Sequence, residues 1–149
     1  MGPGEPDGPA RREGRTMLGA GGSSGARRGG SDRRQRIGRL GEKHAAALFT
    51  ARGGVVLAQN WHHRNGELDL VILDAAGRLR FVEVKARTGT QFGTAAEAVT
   101  GSKQHKIREL ATAWLTENPT RWREVHFDVV AVDLSDESNP RLELLEDVM

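Results

Sequence analysis

From Glu67 to Leu73 polar and apolar residues alternate and then run apolar (ELDLVIL). From Leu79 to Lys85 the chain is rich in β-branched and aromatic residues (LRFVEVK). Two strands are predicted, joined by the three-residue turn Ala75-Ala76-Gly77, where Gly77 is free to take the left-handed conformation. Centring the turn on Ala76 sets Asp69 opposite Glu83 and Glu67 opposite Lys85. Side chains alternate faces, so Glu67, Asp69, Val71, Phe81, Glu83 and Lys85 share one face. Directly opposed carboxylates repel each other unless a cation or a proton lies between them. A fold that builds in such a conflict points to function there.

The rest of the pattern surrounds this hairpin. Ile37, Leu40, Ala45, Leu48 and Phe49 recur at helical spacing, between a Ser31-Asp32 cap and Gly53-Gly54. Residues 55–58 read as a short strand leading through Asn60-Trp61-His62-His63 to an Asn65-Gly66 turn, for which Gly66 is needed. That turn sets His62 opposite Asp69 and Arg64 opposite Glu67. After the loop from Thr88 to Gly93 and the apolar segment 95–99, Ser102 is predicted to cap a helix with an Ile107, Leu110, Ala111, Trp114, Leu115 stripe. Pro119 ends it; residues 125–134 read as a buried strand and 142–145 as an edge strand. A strand, a helix and a further strand suggest a parallel crossover. The order is α-β-β-β-α-β-(β), one mixed sheet with helices packed on it, α/β or α+β.

Composition changes this picture at the N-terminus. Residues 1–30 hold 10 of the 19 glycines and three of the five prolines, with almost no large apolar residue. Such a segment does not bury enough surface to offset its ordering entropy, so a disordered Gly/Arg-rich tail (1–30) precedes a folded domain (31–149). The tail arginines either add non-specific affinity for nucleic acid or have no role. The chain has no cysteine, hence no disulfide framework and no thiolate metal site, which fits a cytoplasmic setting. No apolar run approaches the ~20 residues of a membrane span. Residues 78–123 carry nine basic and four acidic residues, and residues 124–149 one basic and eight acidic. A basic middle of this kind attracts polyanions.

Candidate chemistry concentrates on the hairpin. Asp69, Glu83 and the Val84 carbonyl are hard oxygen donors suited to Mg²⁺ or Mn²⁺. Lys85 projects beside them, placed to orient or help deprotonate a water. The same residues also read as a cross-strand salt-bridge ladder on a wet sheet face. Lys103, Lys106 and Arg108 stand near a helix N-terminus, where the dipole favours acids. They either face a phosphate or form a solvated basic face. His62-His63 with nearby acids offers a transition-metal site or a pair of surface histidines on an edge strand.

Arg39-Leu40-Gly41-Glu42, Gly66-Glu67-Leu68-Asp69-Leu70-Val71, Phe81-Val82-Glu83-Val84-Lys85-Ala86-Arg87, Phe92-Gly93 and Lys103 stand in the order of a family pattern. Over residues 37–146 the chain resembles the YraN-type family of bacterial proteins. That family is similar to the restriction-endonuclease-like nucleases with an Asp…Glu-x-Lys site, including Holliday-junction resolvases and tRNA-splicing-endonuclease-like domains. The resemblance implies Asp69 and Glu83 as metal ligands, Lys85 as the catalytic lysine and Glu42 as an added carboxylate near the metal. It implies a Mg²⁺- or Mn²⁺-dependent nuclease on DNA, branched DNA included, more than on RNA, with Arg87, Lys103 and Lys106 toward the nucleic acid. A homodimer is compatible with it. Where the family commonly has Arg-Phe-Asp in the late strand, this chain has His126-Phe127-Asp128. The alternative of another class is a nucleic-acid-binding module without catalysis.

Overall fold

The computed structural model describes residues 25–89 and 99–149. The elements are α1 (Gly25–Ala51), β1 (Val55–His63), β2 (Gly66–Leu73), β3 (Leu79–Arg87), α2 (Gly101–Glu117), β4 (Val125–Asp133) and β5 (Arg141–Leu145). The five strands form one mixed sheet in chain order, with β3 and β4 parallel and every other neighbour antiparallel. The fold is α+β, in the expected order. The parallel β3–β4 pair spans Leu79–Val125 to Arg87–Asp133, so α2 lies within the crossover that joins them.

Alternation along β3 divides the core. Val82 packs with Ile37, Ala45, Phe49, Leu70 and Val130 on the α1 side. Its neighbour Phe81 packs with Val71, Ile107, Leu110 and Trp114 on the α2 side. The stripes predicted for both helices are the faces they bury. Phe81 meets Trp114 edge-on at 5.7 Å and stacks on Phe127 at 5.5 Å, geometries that add to area burial.

The β2–β3 turn forms as expected. Gly77 has φ 80°, and Asp74 closes the loop, its Oδ1 accepting from Ala76 N and Arg78 N. The resulting register, Leu73–Leu79 to Leu70–Val82, is the one that centring on Ala76 predicts.

Four boundaries differ from the sequence expectation. α1 starts at Gly25, so Ser31 and Asp32 lie inside the helix and residues 25–30 are helical. The arginines around them are good helix formers, which supports that extension. β1 runs on to His63, and the β1–β2 turn is Arg64-Asn65 rather than Asn65-Gly66. His62 therefore pairs with Glu67, not Asp69, and Arg64 pairs with nothing across the turn. Gly66 instead opens β2 at φ 148°, where a Cβ would press within 3.0 Å of Lys106 Cε. The cap of α2 is Thr100, whose hydroxyl accepts from Lys103 N, and Ser102 stands in the first turn. The remainder of the expected tail, the Phe92-Gly93 part of the loop and residues 95–98 lie outside the described residues.

The basic middle and acidic end are not separate faces. β3 and β4 are neighbours, so much of their charge cancels. Arg80, 6% exposed, donates to the fully buried Asp128 at 2.9 Å and to Asp74 at 2.9 Å. Arg78 faces Glu124 at 3.7 Å. His126 contacts Glu124 and Asp147 through its two ring nitrogens. Arg108 donates to the Met149 carbonyl and lies over the Phe127 ring.

Candidate active site and metal centre

The site begins where the β2–β3 ladder stops. β2 continues along β1 and β3 along β4, and the last paired residues between β2 and β3 are Leu70 and Val82. The Val84 N–H therefore lacks a β2 carbonyl. Asp69 Oδ2 accepts it at 2.8 Å, which fixes the carboxylate in the opening between the strands. Val84 thus meets the site through its N–H.

Three carboxylates converge there from two elements. Glu42 of α1 and Glu67 and Asp69 of β2 each offer an oxygen within 4.8 Å of the others. Glu42 reaches the sheet because the preceding residue is Gly41. A Cβ at Gly41 would overlap that of Ala86 on β3, so glycine is what lets α1 lie this close. Glu83 stands at the rim of the cluster, with two lysines. Lys103 Nζ of α2 lies 2.8 Å from Glu83 Oε1, and Lys85 Nζ lies 3.5 Å from the same oxygen.

The electrostatics match this crowding. Burial, then the charge of Glu83, pushes the Asp69 carboxyl up to about 8, against the hydrogen bond from Val84. Burial also raises Glu42, with Glu67 and Glu83 adding repulsion. Burial and the nearby Lys103 lower the Lys85 ammonium, despite Glu83. Lys103 is held above its ordinary value: burial opposes this, but hydrogen bonds to Glu83 and Lys85 outweigh it. Two raised carboxyls beside a third mark a place where positive charge is wanted.

Glu67, Asp69, Glu83, Lys103 and Lys106 line one cleft of about 220 Å³, floored by Ile107 and Leu110. Its donors are hard oxygens, the set that suits Mg²⁺ or Mn²⁺ rather than a soft metal. His62 and His63 stand outside the carboxylate cluster. His62 pairs with Glu67 at 3.2 Å, and His63 stacks on Trp61 at 5.3 Å.

The residues that build this site fall inside a family match. Residues 41–132 match the uncharacterised protein family UPF0102. A UPF0102 protein of Mycolicibacterium gilvum is 44% identical over 119 residues, covering 79% of this chain and 97% of that one. The chain belongs to the UPF0102 (YraN-type) family. A UPF0102 protein of Frankia alni is 52% identical over 96 residues, covering 64% of this chain and 79% of its own. One of Nocardia farcinica is 44% identical over 115 residues, covering 77% and 90%. The match opens at Gly41, the contact glycine, and takes in Glu42, Glu67, Asp69, Glu83, Lys85 and Lys103.

Set against the sequence reading, Asp69, Glu83, Lys85 and Glu42 are brought together. Glu67 is not opposite Lys85; it turns to His62 and the carboxylate cluster, because the ladder has ended before it. Lys103 is inside the site, paired to Glu83, rather than on a solvated face. Lys106 lines the cleft beside Gly66, and Arg87 is engaged in an interaction at the end of β3. Sequence reasoning missed Gly41, although a glycine inside a helical apolar stripe is a signal of close approach. For the cations near the start of α2 it left a phosphate contact and a solvated basic face open, and offered no pairing of Lys103 with Glu83, since nothing local says that Glu83 lies across the crossover.

Proposed function

We propose that this UPF0102 protein is a divalent-metal-dependent nuclease that hydrolyses phosphodiester bonds in DNA. The observation that carries the reading is the convergence of Glu42, Glu67 and Asp69 with Glu83 and Lys85 where β2 and β3 part. Asp69, Glu67 and Glu42 are the residues that would hold Mg²⁺ or Mn²⁺, with Glu83 at the rim. When bound, such an ion supplies positive charge against the scissile phosphate and a lower water pKa. Lys85, its ammonium lowered by burial, is the group placed to orient a water and move its proton. Lys103 keeps Glu83 engaged, so Lys85 need not serve only as its counter-ion. Lys106 and the cleft beside it give a phosphate backbone its approach.

Cleavage assays with Mg²⁺ and with Mn²⁺ on linear duplex, single-stranded, flapped and four-way DNA, and on RNA, test this reading. Metal-dependent cleavage of at least one DNA is expected. Binding without cleavage on every substrate would replace it with a nucleic-acid-binding module.

A further inference from the structure

In the basic middle of the chain, Arg78 and Arg80 are offset by Glu124, Asp74 and Asp128. The outer face of α1 is different. Its exposed positions carry Arg33, Arg34, Arg36, Arg39 and Lys43, with Asp32 the one exposed acid among the described residues of the helix. Every residue from Gly29 to Arg36 is exposed; burial begins at Ile37 and recurs at Gly41, Ala45 and Phe49. At 3.6 residues per turn, Arg33, Arg36, Arg39 and Lys43 fall together on the face turned away from that buried stripe, over a length of about 15 Å. Among the described residues Arg36 alone of these four is in an ion pair, with Glu137 at 2.7 Å. The outer face of α2 mixes its signs instead, and there His105 pairs with Glu109 at 3.0 Å one turn on.

We infer that the outward face of α1 is a docking surface for duplex DNA, which it holds by the phosphate backbone. A duplex carries one negative charge per about 1.7 Å of axis, so several phosphates lie within the length of the stripe. Three of its four cations are arginines, whose planar fork of donors matches phosphate oxygens. Contacts of this kind position a duplex and carry no sequence information. Arg39 precedes Glu42 by three residues and neighbours it on the helix surface, so a duplex lying along the stripe is led to the carboxylate cluster. Arg33, Arg36 and Arg39 all stand before Gly41, where the family match opens, so most of this surface lies outside the matched region. The inference deepens the nuclease reading by saying where the backbone runs, but it requires binding and not cleavage.

The test is duplex binding by the full chain in EDTA, followed by fluorescence anisotropy at several salt concentrations. Wild type is compared with Arg33→Gln/Arg39→Gln/Lys43→Gln and with a matched control, Arg121→Gln/Arg123→Gln/Arg141→Gln, which removes three exposed cations elsewhere. Glutamine is a good helix former and the replaced side chains are exposed, so circular dichroism and Tm are expected to match wild type. The α1 variant is expected to reduce the slope of log affinity against log salt by about 3, equally for unrelated duplex sequences, and the control to leave it as in wild type. An unchanged slope in the α1 variant, an equal loss in the control, or no duplex binding by wild type would overturn the inference. So would wild type that binds phosphatidylserine vesicles through the same three residues and binds no duplex. Because no metal is present, the two readings fail separately. Cleavage with an unchanged slope removes only the docking surface, and α1-dependent binding without cleavage removes only the nuclease.

Discussion

Lys103 Nζ lies closer to Glu83 Oε1, at 2.8 Å, than Lys85 Nζ does, at 3.5 Å. The helix lysine, and not the strand lysine two residues along, is the nearer counter-ion of Glu83. Glu83 is thereby compensated on one side, while Asp69 faces Glu42 and Glu67 and accepts the Val84 N–H.

That asymmetry gives Asp69→Asn a double effect. The folded-state pKa is raised from an ordinary 3.8 to about 8. Between those values the folded chain keeps a proton that the unfolded chain has released, so this residue's contribution to stability falls as pH rises. Asparagine keeps an acceptor for Val84 N–H and removes the charge. Asp69→Asn is expected to gain on the order of 1 kcal/mol at pH 8, several degrees in Tm, and little at pH 4. It is also expected to lose Mn²⁺ binding. In wild type, Mn²⁺ affinity should climb with pH up to about 8, because the proton must leave first. Calorimetry and thermal melts at both pH values check this, and a lower Tm in the variant at pH 8 would contradict it.

Two glycines on α1 make opposite predictions. An added Cβ at Gly38 meets nothing, so Gly38→Ala is expected to stabilise by about 0.5–1 kcal/mol through helix propensity. An added Cβ at Gly41 meets Ala86, so Gly41→Ala is expected to destabilise by about 1–3 kcal/mol as α1 is pushed off β3. Because Glu42 moves with α1, Mn²⁺ affinity should fall in Gly41→Ala and stay unchanged in Gly38→Ala. Equal melts for the two variants would remove Gly41 from the helix–sheet contact.

The hairpin was legible because both of its determinants are local. Gly77 and the alternation from Glu67 to Lys85 specify turn and register without help from the rest of the chain. What local reasoning could not supply is where the ladder stops. That depends on β1 and β4 each drawing one strand away, and it converts Glu67 from a partner of Lys85 into a member of the carboxylate cluster. The β1–β2 turn was misplaced for a related reason. Asn-Gly is a strong turn signal, but Gly66 is used for the approach of Lys106, and the turn moves back to Arg64-Asn65. Lys103 acts across a long sequence separation, and no periodicity marks it.

At the other end of β4, His126 should give the fold a pH dependence of opposite origin. Hydrogen bonds to Glu124 and then Asp147 raise its pKa above 6.5. A raised histidine contributes stability that is complete below its unfolded pKa and is lost as pH rises through the folded value. His126→Gln is therefore expected to lower stability at pH 6, by on the order of 1 kcal/mol, and much less at pH 9. Thermal melts of both proteins at the two pH values measure this; a pH-independent difference would show that the contacts act as neutral hydrogen bonds.

The decisive comparison is between the two lysines. Lys85→Met keeps an apolar stem and removes the charge. If Lys85 only completed a salt-bridge ladder, the change would cost at most ~1 kcal/mol of stability and nothing else. In the nuclease reading the carboxylate cluster survives, so Mn²⁺ still binds. Nucleic-acid binding falls only modestly, since one charge is a small part of a polyanion contact. Cleavage falls about 10²–10⁴-fold, the usual contribution of a positioned proton-transfer group. Lys103→Met removes the nearer partner of Glu83 but leaves Lys85, 3.5 Å away, to take its place. Its cleavage defect is expected to be smaller than that of Lys85→Met. Single-turnover cleavage, with binding measured separately, tells the two apart. Should Lys103→Met abolish cleavage while Lys85→Met retains it, the catalytic ammonium belongs to α2 and the role given to Lys85 is wrong.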